Sequence, residues 1–102
     1  MRDDGATVLI VDDNRAMTQV LRFHFEKAGF STTVAFNGAD AVRKLREQHV
    51  DLVVTVLQML EMDGGELCHH IREVMELKEL PIILCSARSL EVESTRLAIT
   101  YD

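Results

Sequence analysis

With 102 residues, 47% of them hydrophobic and 27% charged, the chain is sized for one core and composed like a globular domain, which excludes a disordered tail and a collagen-like repeat. Its 17 acidic residues against 11 basic ones leave a net charge of −6, which disfavours DNA and RNA as partners because their binding draws on basic residues. One domain is expected over residues 1–102, with residues 1–6 as a flexible leader. That leader lacks the basic and long apolar regions of a signal peptide, and no apolar run reaches membrane-spanning length. Cys68 and Cys85 lie in apolar-periodic segments without a C-x-x-C spacing, the pattern of buried thiols in a reducing cytoplasm.

Thr7 to Val11 (TVLIV) is a continuous aliphatic and β-branched run, the mark of a strand buried on both faces of a parallel sheet. From Arg15 to Ala28, Met17, Val20, Leu21, Phe25 and Ala28 recur at three- and four-residue steps, which predicts an amphipathic helix stopped by Gly29. A second strand is expected at Thr32 to Phe36. After Asn37-Gly38 comes a second helix, with Ala41, Val42 and Leu45 inward, ending near His49. Asp51 to Val56 (DLVVTV) reads as the third strand. Gly64-Gly65 opens a third helix with Leu67, Cys68, Ile71, Val74 and Met75 inward and Glu66, His69, Arg72, Glu73 and Glu76 outward. Pro81 to Cys85 (PIILC) is the fourth strand, and Ser89 caps a fourth helix from Leu90 to about Ile99.

Strictly alternating strands and helices build a parallel sheet through right-handed crossovers, with helices on both faces. In such open α/β sheets function collects outside the carboxyl ends of the strands. The residues to weigh are therefore Asp12 to Asn14, Val56 to Gly64 and Ser86 to Arg88. The adjacent carboxylates of Asp12 and Asp13 suit a hard cation such as Mg²⁺, which takes oxygen ligands and keeps several waters. The plainer alternative is that Asp13-Asn14 only cap the helix that follows.

VLIVDDN at Val8 to Asn14, DLVVT at Asp51 to Thr55, MDG at Met62 to Gly64 and PIILCSA at Pro81 to Ala87 together resemble a response-regulator receiver domain over nearly the whole chain. The resemblance implies a flavodoxin-like, doubly wound α/β fold of strand order 2-1-3-4-5 and an acidic pocket holding Mg²⁺. It also implies an aspartate at the end of the third strand that takes a phosphoryl group from a histidine kinase. Carried over by residue, Asp12 and Asp13 match the acidic pair, Gln58 would offer a backbone carbonyl to the metal, and Ser86 matches the switch hydroxyl. Asn14, Glu61 and Ala87 border the pocket.

Two departures stand against the resemblance. The phosphoacceptor position holds Val56, and Leu60 stands where the family usually has proline. Phosphoryl transfer needs an oxygen nucleophile in line with the leaving group, and valine has no lone pair to offer. Losing that carboxylate also removes a metal ligand, so Mg²⁺ is expected to bind weakly or not at all. Asp12, Asp13 and Glu61 start from the wrong backbone positions to replace it. In addition, the family's fifth strand, with its lysine, and fifth helix are not found after the fourth helix, so the order expected here is 2-1-3-4. The fourth strand would then be an open edge and the first helix would have a bare flank. Either residues beyond Asp102 supply the cover, or a partner does, including a second copy in a homodimer.

The expected function is that of a signal-transduction receiver that takes no phosphoryl group at Val56 and acts by contact with a histidine kinase, an output domain or a second receiver. The alternative is an ordinary Asp-phosphorylated, Mg²⁺-dependent receiver whose sequence is altered or incomplete. No enzymatic chemistry is expected: G-x-S-x-G, Walker-type and G-x-G-x-x-G motifs are all missing. Cys68, His69 and His70 are consecutive on a helix and point three ways, so they cannot converge on one zinc, and His24 and His49 are isolated. Met59, Leu60 and Met62 form an apolar loop patch that packs on its own domain or meets a partner.

Overall fold

The computed structural model describes residues 6–56, 63–85 and 99–101. Its elements are β1 (Thr7–Val11), α1 (Arg15–Lys27), β2 (Ser31–Ala35), α2 (Gly38–Glu47) and β3 (Leu52–Val56). They are followed by α3 (Gly64–His69) running into a π turn (His70–Val74), then β4 (Ile82–Cys85) and β5 (Ile99–Tyr101). The sheet order is β2-β1-β3-β4-β5, with the first four strands parallel, as a doubly wound flavodoxin-like fold requires.

Each helix begins where a short polar side chain can take an orphan backbone N–H. Asn14 accepts from the Met17 N–H and Asn37 from the Asp40 N–H. Asp63 and Glu66 form a reciprocal capping box. Gly29 ends the turn after α1 at φ 105°, a conformation open to glycine at no steric cost.

The two faces of the sheet are unequal. On the side of α2 and α3, Leu9, Val11, Val53, Ile82 and Leu84 join Leu67, Cys68 and Ile71 in one large buried cluster. On the α1 side the buried apolar cluster among the described residues is Val8, Ile10 and Val54, with Leu21, Phe25, Leu52, Ile83 and Cys85 half-buried around them. Helix α1 packs chiefly on β1 and β2, which leaves the β3–β4 part of that face thinly covered among the described residues.

Three expectations need correction. The fourth strand is not an open edge: Ile99–Tyr101 pairs with it antiparallel, Leu84 opposite Ile99 and Ile82 opposite Tyr101. The unpaired N–H and C=O groups of β4 are a template for another strand, and Ile-Thr-Tyr has the β-branched and aromatic character that fits one. Ile99 thus belongs to a strand rather than to the end of a helix, and the remainder of that expected helix, 90–98, lies outside the described residues. The second correction concerns α3, whose inward stripe drifts because the backbone widens into a π turn, marked by the Met75 N–H donating to the His70 carbonyl at 3.0 Å. That extra residue per turn swings Val74 out to 60% exposed and brings Arg72 in, where its Nη1 donates to the Leu77 carbonyl at 2.7 Å.

The third correction lies in α1. Its buried residue is Thr18, whose hydroxyl donates to the Arg15 carbonyl at 2.7 Å, with Leu21 and Phe25 half-buried beside it. Met17, Val20 and Ala28 face outward instead. A single stripe was expected, but the helix carries apolar side chains on two sides.

At the amino end of the sheet, Asp51 ties β3 to β1. Its N–H donates to the Thr7 carbonyl at 2.8 Å, its Oδ2 accepts the Thr7 N–H at 2.7 Å, and its Oδ1 meets His49 Nε2 at 2.8 Å. The Thr7 N–H first and the His49 ring second hold the Asp51 carboxyl below its usual value. A depressed carboxylate stabilises the fold above its unfolded pKa, and that contribution disappears as pH falls through the lower folded value. Asp51→Ala is therefore expected to lower the urea midpoint at pH 7 and to flatten the loss of stability below about pH 4. Denaturation across pH checks both, and an unchanged midpoint would show that the tie contributes nothing.

Candidate functional site

The carboxyl ends of β1 and β3 lie side by side, with Val11 opposite Thr55, and the end of β4 follows, with Cys85 opposite Val56. The next residues of β1 are Asp12, Asp13 and Asn14. Asp12 is buried, its N–H donating to the Ala35 carbonyl at 3.1 Å and its Oδ1 accepting the Asn14 N–H at 2.9 Å. Asp13 and Asn14 are exposed. The capping role foreseen as an alternative for Asp13-Asn14 belongs to Asn14 alone.

Burial pushes the Asp12 carboxyl above its usual value, the Asn14 N–H works against that, and the Asp13 charge adds to the rise. The described part of the site is thus a desolvated carboxylate with a second carboxylate at its mouth.

Val56 lies half-buried at the end of β3, and strand alternation gives it the same face as Leu52 and Val54, next to the α1-side cluster. Thr55 Oγ1 donates to the Val56 carbonyl at 3.1 Å, a main-chain contact. An isopropyl group here can neither attack phosphorus nor ligate a metal.

Cys85 is the residue that sequence reasoning passed over as part of this corner. Burial pushes its thiol up, and the nearby Asp12 charge pushes it further. A thiol held protonated this way is a poor nucleophile. The signal was available in the sequence, since Cys85 ends the fourth strand, yet only the register shows that it stands opposite Val56.

Gln58, Glu61, Ser86 and Ala87 lie outside the described residues, as does the Met59, Leu60 and Met62 patch. Cys68 is buried, which raises its thiol, while His69 points to solvent. Among the described residues no three His, Cys, Asp or Glu side chains are grouped to hold a metal, and no helix is long and apolar enough to cross a membrane.

The charge state of Asp12 yields a sign. A carboxyl with a raised folded pKa costs stability once ionised, so stability falls as pH rises from its unfolded value, about 3.9, through the higher folded one. Asp12→Asn, which keeps an acceptor for the Asn14 N–H, is expected to raise the urea midpoint at pH 7. The advantage should vanish below about pH 4. A variant no more stable than the parent at pH 7 would show that the carboxylate is compensated.

Comparison with known proteins agrees with this architecture. The model of the response regulator receiver domain matches residues 8–100. The chemotaxis protein CheY4 of Vibrio cholerae is 28% identical, with a TM-score of 0.74 over 78% of this chain and 67% of that one. A signal receiver domain of a signal transduction histidine kinase from Syntrophus aciditrophicus is 31% identical, with a TM-score of 0.76 over 85% and 69%. The N-terminal domain of a response regulator receiver protein from Methanoculleus marisnigri JR1 is 27% identical, with a TM-score of 0.78 over 82% and 68%. The chain therefore spans about two thirds of the length of each of these structures.

Proposed function

This chain belongs to the response regulator receiver domain family, and from that premise we propose that it serves two-component signalling without accepting a phosphoryl group at residue 56. The observation that carries the reading is Val56 itself, at the strand end where the family bears its acceptor aspartate. Transfer requires a nucleophilic oxygen aligned with the leaving group and a metal to neutralise the equatorial oxygens. At Val56 the first is missing and the second is weakened.

Receivers of this family typically bind Mg²⁺ at such an acidic corner. The described donors fit that ion poorly. Asp12 is desolvated and already engaged by the Asn14 N–H, Asp13 stands at the solvent boundary, and Val56 supplies no oxygen. Mg²⁺ bound there would rest on Asp13, a backbone carbonyl such as that of Gln58, and water, and the affinity would be low. Ser86 would have no phosphoryl oxygen to meet.

What remains is a scaffold that works by protein contact, with no enzymatic reaction of its own. Val56 favours that role because it leaves the acidic corner with one charge fewer. Two like charges about 4 Å apart repel by about 1 to 4 kcal/mol between water-like and surface-like dielectric. The domain is held in one conformation instead of being switched by a covalent charge. The partner is a protein of the same signalling chemistry, a histidine kinase, an output domain or another receiver, in the cytoplasm. An acidic chain of net charge −6 offers little to nucleic acid.

Incubation with acetyl phosphate and Mg²⁺ followed by intact mass measurement tests this. The chain is expected to show no stable adduct of about 80 Da, one phosphoryl group, whereas Val56→Asp gains one. An adduct on the parent chain would overturn the reading in favour of an ordinary receiver. In metal-free buffer Val56→Asp is also expected to have the lower urea midpoint, with Mg²⁺ restoring part of the loss. Equal midpoints would remove the stabilising role assigned to Val56.

A further inference from the structure

At the amino end of the sheet, away from the acidic corner, the surface opens into a groove of about 660 Å³, within the size range of ligand-binding clefts. Parallel pairing sets it up. Strands β3 and β4 are neighbours, so the turns that feed them lie side by side, joined where the Val53 N–H donates to the Pro81 carbonyl at 3.0 Å. Leu45 near the end of α2, Val50 before β3, and Leu77, Leu80 and Pro81 before β4 supply its apolar lining. Val50 belongs to the main core and Leu45 and Leu80 pack against it, so the groove opens onto the edge of that core. The charged residues lining it are three carboxylates, Asp51, Glu76 and Glu79, against one ammonium, Lys78. Lys78 is drawn aside by Glu73, 3.5 Å away, and Asp51 is held by the Thr7 N–H and His49. Glu76 and Glu79 are exposed, and neither has an ion-pair partner among the described residues. Glu76 also sits at φ 59°, the left-handed region that glycine takes without strain, so its carboxylate is kept on the rim at a backbone cost.

We propose that this groove docks a short segment of a partner protein in which apolar side chains are flanked by Lys or Arg. The apolar side chains cover Val50, Leu77 and Leu80, and the basic ones meet Glu76 and Glu79 on the rim. Long-range charge favours the same partner, because a chain of net charge −6 draws basic segments and repels a second copy of itself. The shape favours a protein segment over a small molecule. His49, Glu76, Lys78 and Glu79 are all exposed and Leu77 is 36% exposed, so a small molecule lying there would keep much of its surface in water. A segment anchored by the rest of its own protein needs to seat only a side chain or two. The groove is at the opposite end of the strands from Val56, so the proposal stands whether or not residue 56 blocks phosphorylation.

The probe is the blocked peptide acetyl-Lys-Leu-Arg-Leu-Lys-amide, titrated to about 5 mM into the isotope-labelled full chain while backbone amide shifts are followed by NMR. Saturable shifts are expected at residues 48–51 and 76–80. Replacing the leucines of the probe by serine, or its basic residues by glutamate, is expected to weaken binding at least about tenfold. In the chain, Glu76→Gln with Glu79→Gln, and separately Leu77→Ser, are expected to do the same with unchanged circular dichroism. Glu76→Lys with Glu79→Lys is expected to take the glutamate probe instead. Glu76→Gly, which suits the backbone, is expected to keep the thermal midpoint and still lose affinity, which separates binding from stability. Shifts that do not saturate, shifts centred on other residues, or equal binding of the serine probe would overturn the proposal. Tighter binding of n-hexylammonium than of the peptide would overturn it too and leave the groove to a small amine.

Discussion

The dryness of β1 underlies everything else in the molecule. Val8, Leu9, Ile10 and Val11 are between 0% and 1% exposed, because the strand has β2 and β3 on its edges and helices on its faces. A strand buried on all sides has to be aliphatic throughout, and it delivers its next residue into a site with little water. Asp12 is that residue. Its carboxyl is pushed toward the neutral form by the same burial that makes β1 the centre of the sheet. A receiver of the usual kind answers such a concentration of carboxylates with a metal ion. Val56, at the neighbouring strand end, brings a hydrocarbon to that corner.

The unequal faces of the sheet are the second determining feature. The side of α2 and α3 holds the large continuous core, in which Leu9, Val11, Ala35, Val53, Ile82 and Leu84 are buried. Among the described residues the α1 side has three buried apolar residues in its cluster and a fringe of half-buried ones, Cys85 among them. Among the described residues, apolar burial is therefore concentrated in one layer. The candidate site lies beside the thinner layer, since Val56 shares its strand face with Leu52 and Val54. Short β5 adds backbone pairing at the sheet edge.

Chemistry and packing thus point the same way at residue 56. An acceptor aspartate is useful because its charge changes on modification, and the fold around it is built to respond to that change. A valine at that position has no charge to change, which is the basis of the proposed function. The exposed apolar groups of α1 are the largest departure from a plain solvated helix among the described residues, and they lie on the same helix that Asn14 caps at the edge of the acidic corner.

How much of this was legible beforehand differs by residue. Val56 and the acidic pair were read directly, because chemical identity at a strand end needs no coordinates. The four parallel strands were legible because a strand dry on both faces leaves an unbroken aliphatic run. Ile99–Tyr101 was not, because three residues at an edge are chosen by the unpaired backbone of β4 and not by any pattern of their own. Arg72 and Val74 were misplaced because sequence periodicity assumes 3.6 residues per turn, and the π turn after His69 breaks that phase. Val20 and Met17 were assigned inward because an apolar residue at helical spacing normally is. The sequence by itself determined the fold class and the chemical identity of residues 12, 13 and 56 at the strand ends, since these follow from side-chain chemistry and local period. Only the tertiary structure decided which side of α1 meets the sheet, that Cys85 stands opposite Val56, and that Asp12 is desolvated. Those are matters of register and burial, which arise from contacts between residues far apart in the chain.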